Sequence, residues 1–154
     1  MLSKEERKER NQLFWSTFKK IMRQHRSSSG SHMNWISYPS DVKDIYIRME
    51  VDYKGARLCM DIQPKNEGVR AILFEQMTEL KKVLEAEMKW ETLWIEQFYT
   101  KEGHPISRIC WMNDTLDYYK NEDWPQIMEF LRDRLLEFDK FYMEFKDVLI
   151  TLAE

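Results

Sequence analysis

The residues best suited to chemistry lie near the middle of the chain. Glu50, Asp52, Asp61, Gln63 and Lys65 alternate with apolar residues, so a β-hairpin would place all five on one face. Acids on one strand and a Gln-x-Lys on the next can serve phosphodiester cleavage. Two carboxylates hold Mg²⁺, and the lysine positions water or stabilises developing charge. Pro64 interrupts the Gln63-Lys65 pair, however, and arginines stand across from the acids. A solvated, self-neutralised strand face accounts for the same residues. The other reactive types are scattered. His25, His32 and His104 have no ligand spacing, and Cys59 and Cys110 fall within predicted strands, where a thiol behaves as a small hydrophobe. The glycines at 30, 55, 68 and 103 stand alone, so no phosphate-cradling loop exists. Neither a metal nor a cofactor is expected.

Charge offers a second chemistry. Residues 1–26 carry 8 Lys/Arg and 3 Glu, and the rest of the chain carries 16 basic and 24 acidic residues. The total of −3 therefore hides a basic arm on an acidic body. Lys4, Arg7, Lys8, Lys19, Lys20, Arg23 and Arg26 form a candidate nucleic-acid surface. An ordinary solvated helix face is the competing reading, and the overall pI near 5.7 does not suit a dedicated DNA binder.

The elements that must position these groups follow from periodicity. The 154 residues fit one domain, able to bury roughly 70% of the unfolded surface. An apolar fraction of 43% excludes global disorder, and no apolar run approaches the roughly 20 residues of a membrane helix. The charged N-terminus lacks the apolar stretch of a secretory signal, and two cysteines make no disulfide scaffold. The expectation is a soluble cytoplasmic protein.

Ser3 to Glu6 has capping-box spacing, and Phe14, Phe18, Ile21, Met22 and His25 recur at helical intervals, predicting a first helix over 3–25. Its charged start (1–12) should project, and residues 26–33 read as a loop. Trp35 to Tyr38 reads as a short strand or an aromatic plug. A hairpin turning at Lys54-Gly55 would set Asp52 against Arg57, Glu50 against Cys59 and Arg48 against Asp61. Lysine suits the positive φ of such a turn poorly. Asn66 caps a predicted second helix over 67–88, with Val69, Ile72, Leu73, Met77, Leu80 and Leu84 inward. Strands over 90–99 and 106–112 are largely apolar on both faces, predicting a pair that is central or covered on both sides. Asp123 and Gln126 have capping-box spacing for a last helix, whose seam runs from Trp124 to Leu152 in 4-3 steps. The expected fold class is α+β: an antiparallel sheet of two hairpins packed with three helices, in the order α-β-β-α-β-β-α.

Leu136, Met143 and Ile150 recur every seven residues on the side of the last helix away from that seam. They predict a second contact surface, for a homodimer or a protein partner. No membrane association is expected.

Several stretches together resemble a known family: Asn11-x-x-Phe14-Trp15-x-x-Phe18, Asn34-Trp35-Ile36-Ser37-Tyr38, Val42 to Met49, Phe74-Glu75-Gln76, Ile106-Ser107-Arg108-Ile109 and Glu122-Asp123-Trp124-Pro125. The chain resembles the bacterial family catalogued as domain of unknown function 4268, common in Bacteroidetes. The likeness spans Gly30-Ser31-His32-Met33, so that tetrapeptide is not read as the scar of a cleaved tag. The resemblance implies an uncharacterised fold whose members stand alone or follow nuclease-like and defence-associated regions. It carries over no catalytic residue. The sequence thus points to a non-enzymatic, self-associating binding module. The alternatives are a nucleic-acid-associated protein using the basic helix, and a degenerate Mg²⁺-dependent nuclease of restriction type using Glu50, Asp52, Asp61 and Lys65.

Overall fold

A computed structural model describes residues 2–154. Helix α1 spans Lys4–Met22 and begins on the expected capping box: Glu6 N–H donates to Ser3 Oγ, and Ser3 N–H donates back to Glu6. Its charged first turns are exposed, while Phe14, Phe18 and Met22 are fully buried. It stops before the expected His25, whose carbonyl instead accepts the Trp35 indole N–H at 3.0 Å. The segment around Trp35 is the plug and not the strand. It makes no sheet pairing, and Trp35 and Tyr38 are buried against the core.

Strands β1 (Ile45–Asp52) and β2 (Gly55–Ile62) form the first hairpin, and β3 (Leu93–Tyr99) and β4 (Pro105–Asn113) the second. The sheet order is β1-β2-β4-β3, antiparallel throughout. The first hairpin turns one residue earlier than expected, at Tyr53-Lys54, with Asp52 opposite Gly55. Neither turn residue needs positive φ; Gly55 takes it instead, at +139°. A Cβ at that glycine would run into the Asn113 carbonyl of β4, so the second hairpin fixes the turn of the first. The pairing therefore shifts by two. Glu50 faces Arg57 and Arg48 faces Cys59, but every side chain keeps its expected face.

The second hairpin departs from expectation more sharply. Only β4 is central; β3 is an edge strand whose residues are half-buried or exposed. Its apolar residues Leu93, Ile95 and Phe98 lie opposite Cys110, Arg108 and Ile106, across a bulge.

The predicted second helix is two: α2 (Glu67–Glu79) and α3 (Lys81–Glu87), interrupted at Leu80 (φ −91°, ψ 7°). Asn66 caps α2 as expected, accepting from Val69 N–H at 3.0 Å. Arg70, and not Val69 or Ile72, shares the buried face with Leu73 and Met77. Its guanidinium donates to the Pro64 carbonyl.

Helix α4 (Trp124–Ala153) follows a single 3₁₀ turn at Asn121–Asp123. Asp123 does not cap it. Its carboxylate accepts Asp117 N–H at 2.9 Å, tying down the preceding loop, and Pro125 begins the helix without needing a donor. The seam of α4 is buried at Met128, Leu131, Leu135, Phe138, Tyr142 and Leu149. These join Leu58, Met60 and Ile62 of β2 and Ile109 and Trp111 of β4 in the core. Ile127 and Phe141 are buried on the flank of the seam, whereas Val148 and the expected seam residue Leu152 are exposed. No helix among the described residues is long and apolar enough to cross a membrane.

Candidate functional site

Three acids and three arginines meet on the sheet face away from α4. Asp61, 1% exposed, accepts a bidentate pair from Arg108 (2.8 and 2.9 Å) and a third bond from Arg48 at 2.8 Å. Arg57 holds Glu50 at 2.8 Å and Asp52 at 2.7 Å, and Arg108 also reaches Glu50 at 3.3 Å. Arg108 lies over the Phe98 ring, 4.2 Å from its centre. Glu50, Asp52 and Asp61 thus do converge, but each on arginine: Asp61 and Asp52 accept through both oxygens, and Glu50 through Oε1. Lys65 lies outside the cluster, exposed before α2. No three His, Cys, Asp or Glu among the described residues are placed to hold a metal ion. A cation held by these acids would have to displace the guanidinium groups.

Bonding to Arg57 holds the Asp52 carboxyl below its usual range. A depressed folded value means that the unfolded chain binds the extra proton first, so this stabilisation is present at neutral pH and lost as the pH falls. The unfolding free energy should decline below about pH 4, where a free aspartate titrates. Asp52→Asn should flatten that decline in denaturant titrations at successive pH values. An identical slope would show that Asp52 contributes nothing.

At the centre of the sheet Cys59 and Cys110 stand directly opposite each other across β2 and β4. Both are free and buried. The neighbouring Cys110 thiol, together with burial, pushes the Cys59 thiol well above its usual range. It therefore stays protonated, as the small-hydrophobe reading requires.

A second buried acid organises the other side of the molecule. Asp139 on α4, 2% exposed, accepts from Tyr38 Oη at 2.6 Å, Ser27 Oγ at 2.9 Å and Ser28 N–H at 2.7 Å. Burial and the Asp139 bond push the Tyr38 phenol far above its ordinary value, so it remains a donor. These bonds fasten residues 27–38 to α4 and leave 32–36 standing beside α1. Between them lies a cavity of about 370 Å³. Its floor is apolar, from the buried Met22 and Trp35 with the half-buried Met33 and Ile36. Its rim is basic, from the exposed Lys19, Arg23 and His32.

Of the seven basic residues singled out in the sequence, the structure brings two, Lys19 and Arg23, to this rim. At about 100° per residue Lys8 shares their flank of α1, whereas Arg7 and Lys20 point elsewhere. Lys4 lies in the exposed first turn, and Arg26 bends back to the Gly30 carbonyl beyond the helix end. Sequence spacing missed His32, because nothing local shows that the 32–36 segment returns to α1. Arg10, also basic, belongs to the fold: it donates to the Tyr118 carbonyl at 2.7 Å and lies over the Trp124 ring.

Leu136, Met143 and Ile150 do not form a bare stripe. Each is half-buried and packs against the edge of the core of its own chain.

No curated protein and no solved structure matches the chain. A family model does, over residues 10–146, which include α1 from Arg10 onward, both hairpins and α4 as far as Lys146. The match takes in both walls of the cavity and the arginine–carboxylate face together, so the chain belongs to the family described as domain of unknown function (DUF4268).

Proposed function

We propose that this protein is a non-enzymatic binding module whose ligand has an anionic head and an apolar body, held in the cavity between α1 and residues 32–36. The observation that carries the reading is the pairing of a basic rim (Lys19, Arg23, His32) with an apolar floor (Met22, Trp35) in one cavity. Guanidinium and ammonium groups satisfy a phosphate or carboxylate, and the floor removes an alkyl or aromatic group from water. Rigid fastening of the 27–38 segment by Asp139 supports a preformed site.

Calorimetric titration with decyl phosphate, below its micelle-forming concentration, tests this. Decyl phosphate should bind, decanol should bind more weakly, and Lys19→Glu with Arg23→Glu should weaken decyl phosphate by about tenfold or more, the worth of one lost charge-assisted contact. Equal binding of the alcohol, indifference to the charge reversal, or no binding overturns the proposal. A single-stranded oligonucleotide, retained at low salt and released steeply as salt rises, would instead favour phosphate contacts along the α1 flank.

A further inference from the structure

Strand β1 is an open edge with its hydrogen-bonding groups unused. The phase of the hairpin is fixed by Gln63 N–H donating to the Asp44 carbonyl. Tyr46, Arg48, Glu50 and Asp52 therefore face β2, and the odd-numbered residues face outward. Ile45 is satisfied locally: its N–H donates to Val42 O and its carbonyl accepts from Ser40 Oγ. Ile47, Met49 and Val51 are left with six backbone groups that meet no partner among the described residues. The opposite edge is defended by the β3 bulge, as sheet edges usually are. On β1 there is neither bulge nor proline, and a groove of about 1000 Å³ lined by residues 36–50 lies alongside it.

The strand is also complementary to itself. Antiparallel pairing about a two-fold axis through Met49 sets Ile47 opposite Val51 of a second copy and engages all six free groups. The same register places Arg48 opposite Glu50, twice, on the outer face of the sheet. Their side chains are 39% and 34% exposed and within reach of a neighbour. Sliding the register by one allowed step sets Arg48 against Arg48, or Glu50 against Glu50, where like charges repel. We infer that two copies of this chain join edge to edge through β1, centred on Met49, to make one continuous eight-stranded sheet. This rests on the strand edge and not on the cavity, so either reading can fail without the other.

Light scattering at about 0.1–1 mM should give twice the mass of the chain. Mild oxidation of Met49→Cys should yield a covalent dimer linked 49 to 49 in peptide mass spectra. Tyr46→Cys, which this register places opposite Asp52, should not link to itself. Met49→Pro removes only an outward N–H and should halve the mass while the circular dichroism holds. A monomeric wild type, self-linking at both positions, or a dimer that survives a folded Met49→Pro variant overturns the inference. So does a dimer lost only on Leu136→Lys with Met143→Lys, which would place the contact on α4. The cross-links decide the matter even if the proline variant does not fold.

Discussion

Asp139→Ala is expected to lower the unfolding free energy by about 3–5 kcal/mol, among the largest single losses available in this chain. The alanine leaves three donors facing nothing: the Tyr38 phenol, the Ser27 hydroxyl and the Ser28 N–H. Two of those residues are themselves buried, so water cannot simply take over. Asparagine should recover part of the loss. Its one carbonyl oxygen can accept from Tyr38 and Ser27, but its NH₂ would then meet the Ser28 N–H, donor against donor. The order of stability by urea denaturation should be wild type, then Asp139→Asn, then Asp139→Ala. Amide exchange should quicken over residues 27–38 before it does so in the sheet. A loss under about 1 kcal/mol for the alanine variant would show that the segment is held by its apolar contacts alone.

Arg108→Ala should cost a similar amount, about 3–5 kcal/mol, for a different reason. The substitution withdraws a bidentate partner from a carboxylate that is 1% exposed, leaving only Arg48, whose own side chain is 39% exposed. It also strips the cover from Phe98 and Glu50. Most of the cost is a stranded charge, so removing the charge as well should relieve it. Asp61→Leu with Arg108→Met should be markedly more stable than Arg108→Ala alone, because apolar side chains of similar volume often replace a buried pair without penalty. If the double variant is as unstable as the single one, the ion pair is not the source of the loss, and packing around β4 is.

These two residues show what the sequence allows a reader to see. Local signals read true: the Ser3–Glu6 capping box, the Asn66 cap and the 4-3 seam of α4 depend on neighbours a few residues away. What fails depends on distant chain. The Tyr53-Lys54 turn is set by the Asn113 carbonyl, and the apolar look of β3 reflects cover for one side and partners for Arg108 on the other. Asp123 has the spacing of a cap but is drawn to Asp117 N–H instead. The candidate acids were legible as a shared face, since alternation alone decides that. Their neutralisation was only half legible, because Arg57 lies in the same hairpin whereas Arg108 comes from the other. A signal existed for both hidden anchors. A single charge, Arg108, in the run Ile106 to Met112, and Asp139 spaced four after Leu135 and three before Tyr142 in the α4 seam, each point to a buried partner.

The fastening of residues 27–38 to α4 also bears on the order in which the molecule can form. Ser27 meets Asp139 across 112 residues of chain, and Arg10 meets the Tyr118 carbonyl across 108. The hairpins, by contrast, close through short turns and can assemble as soon as their strands exist. A nascent chain therefore holds α1 and the 27–38 segment without a seat until α4 has been made, and joins its first third to its last third in the final step. That high contact order should make refolding slow for an α+β chain of this size. The unpaired β1 edge is exposed throughout that wait, so self-recognition can begin before the cavity has walls.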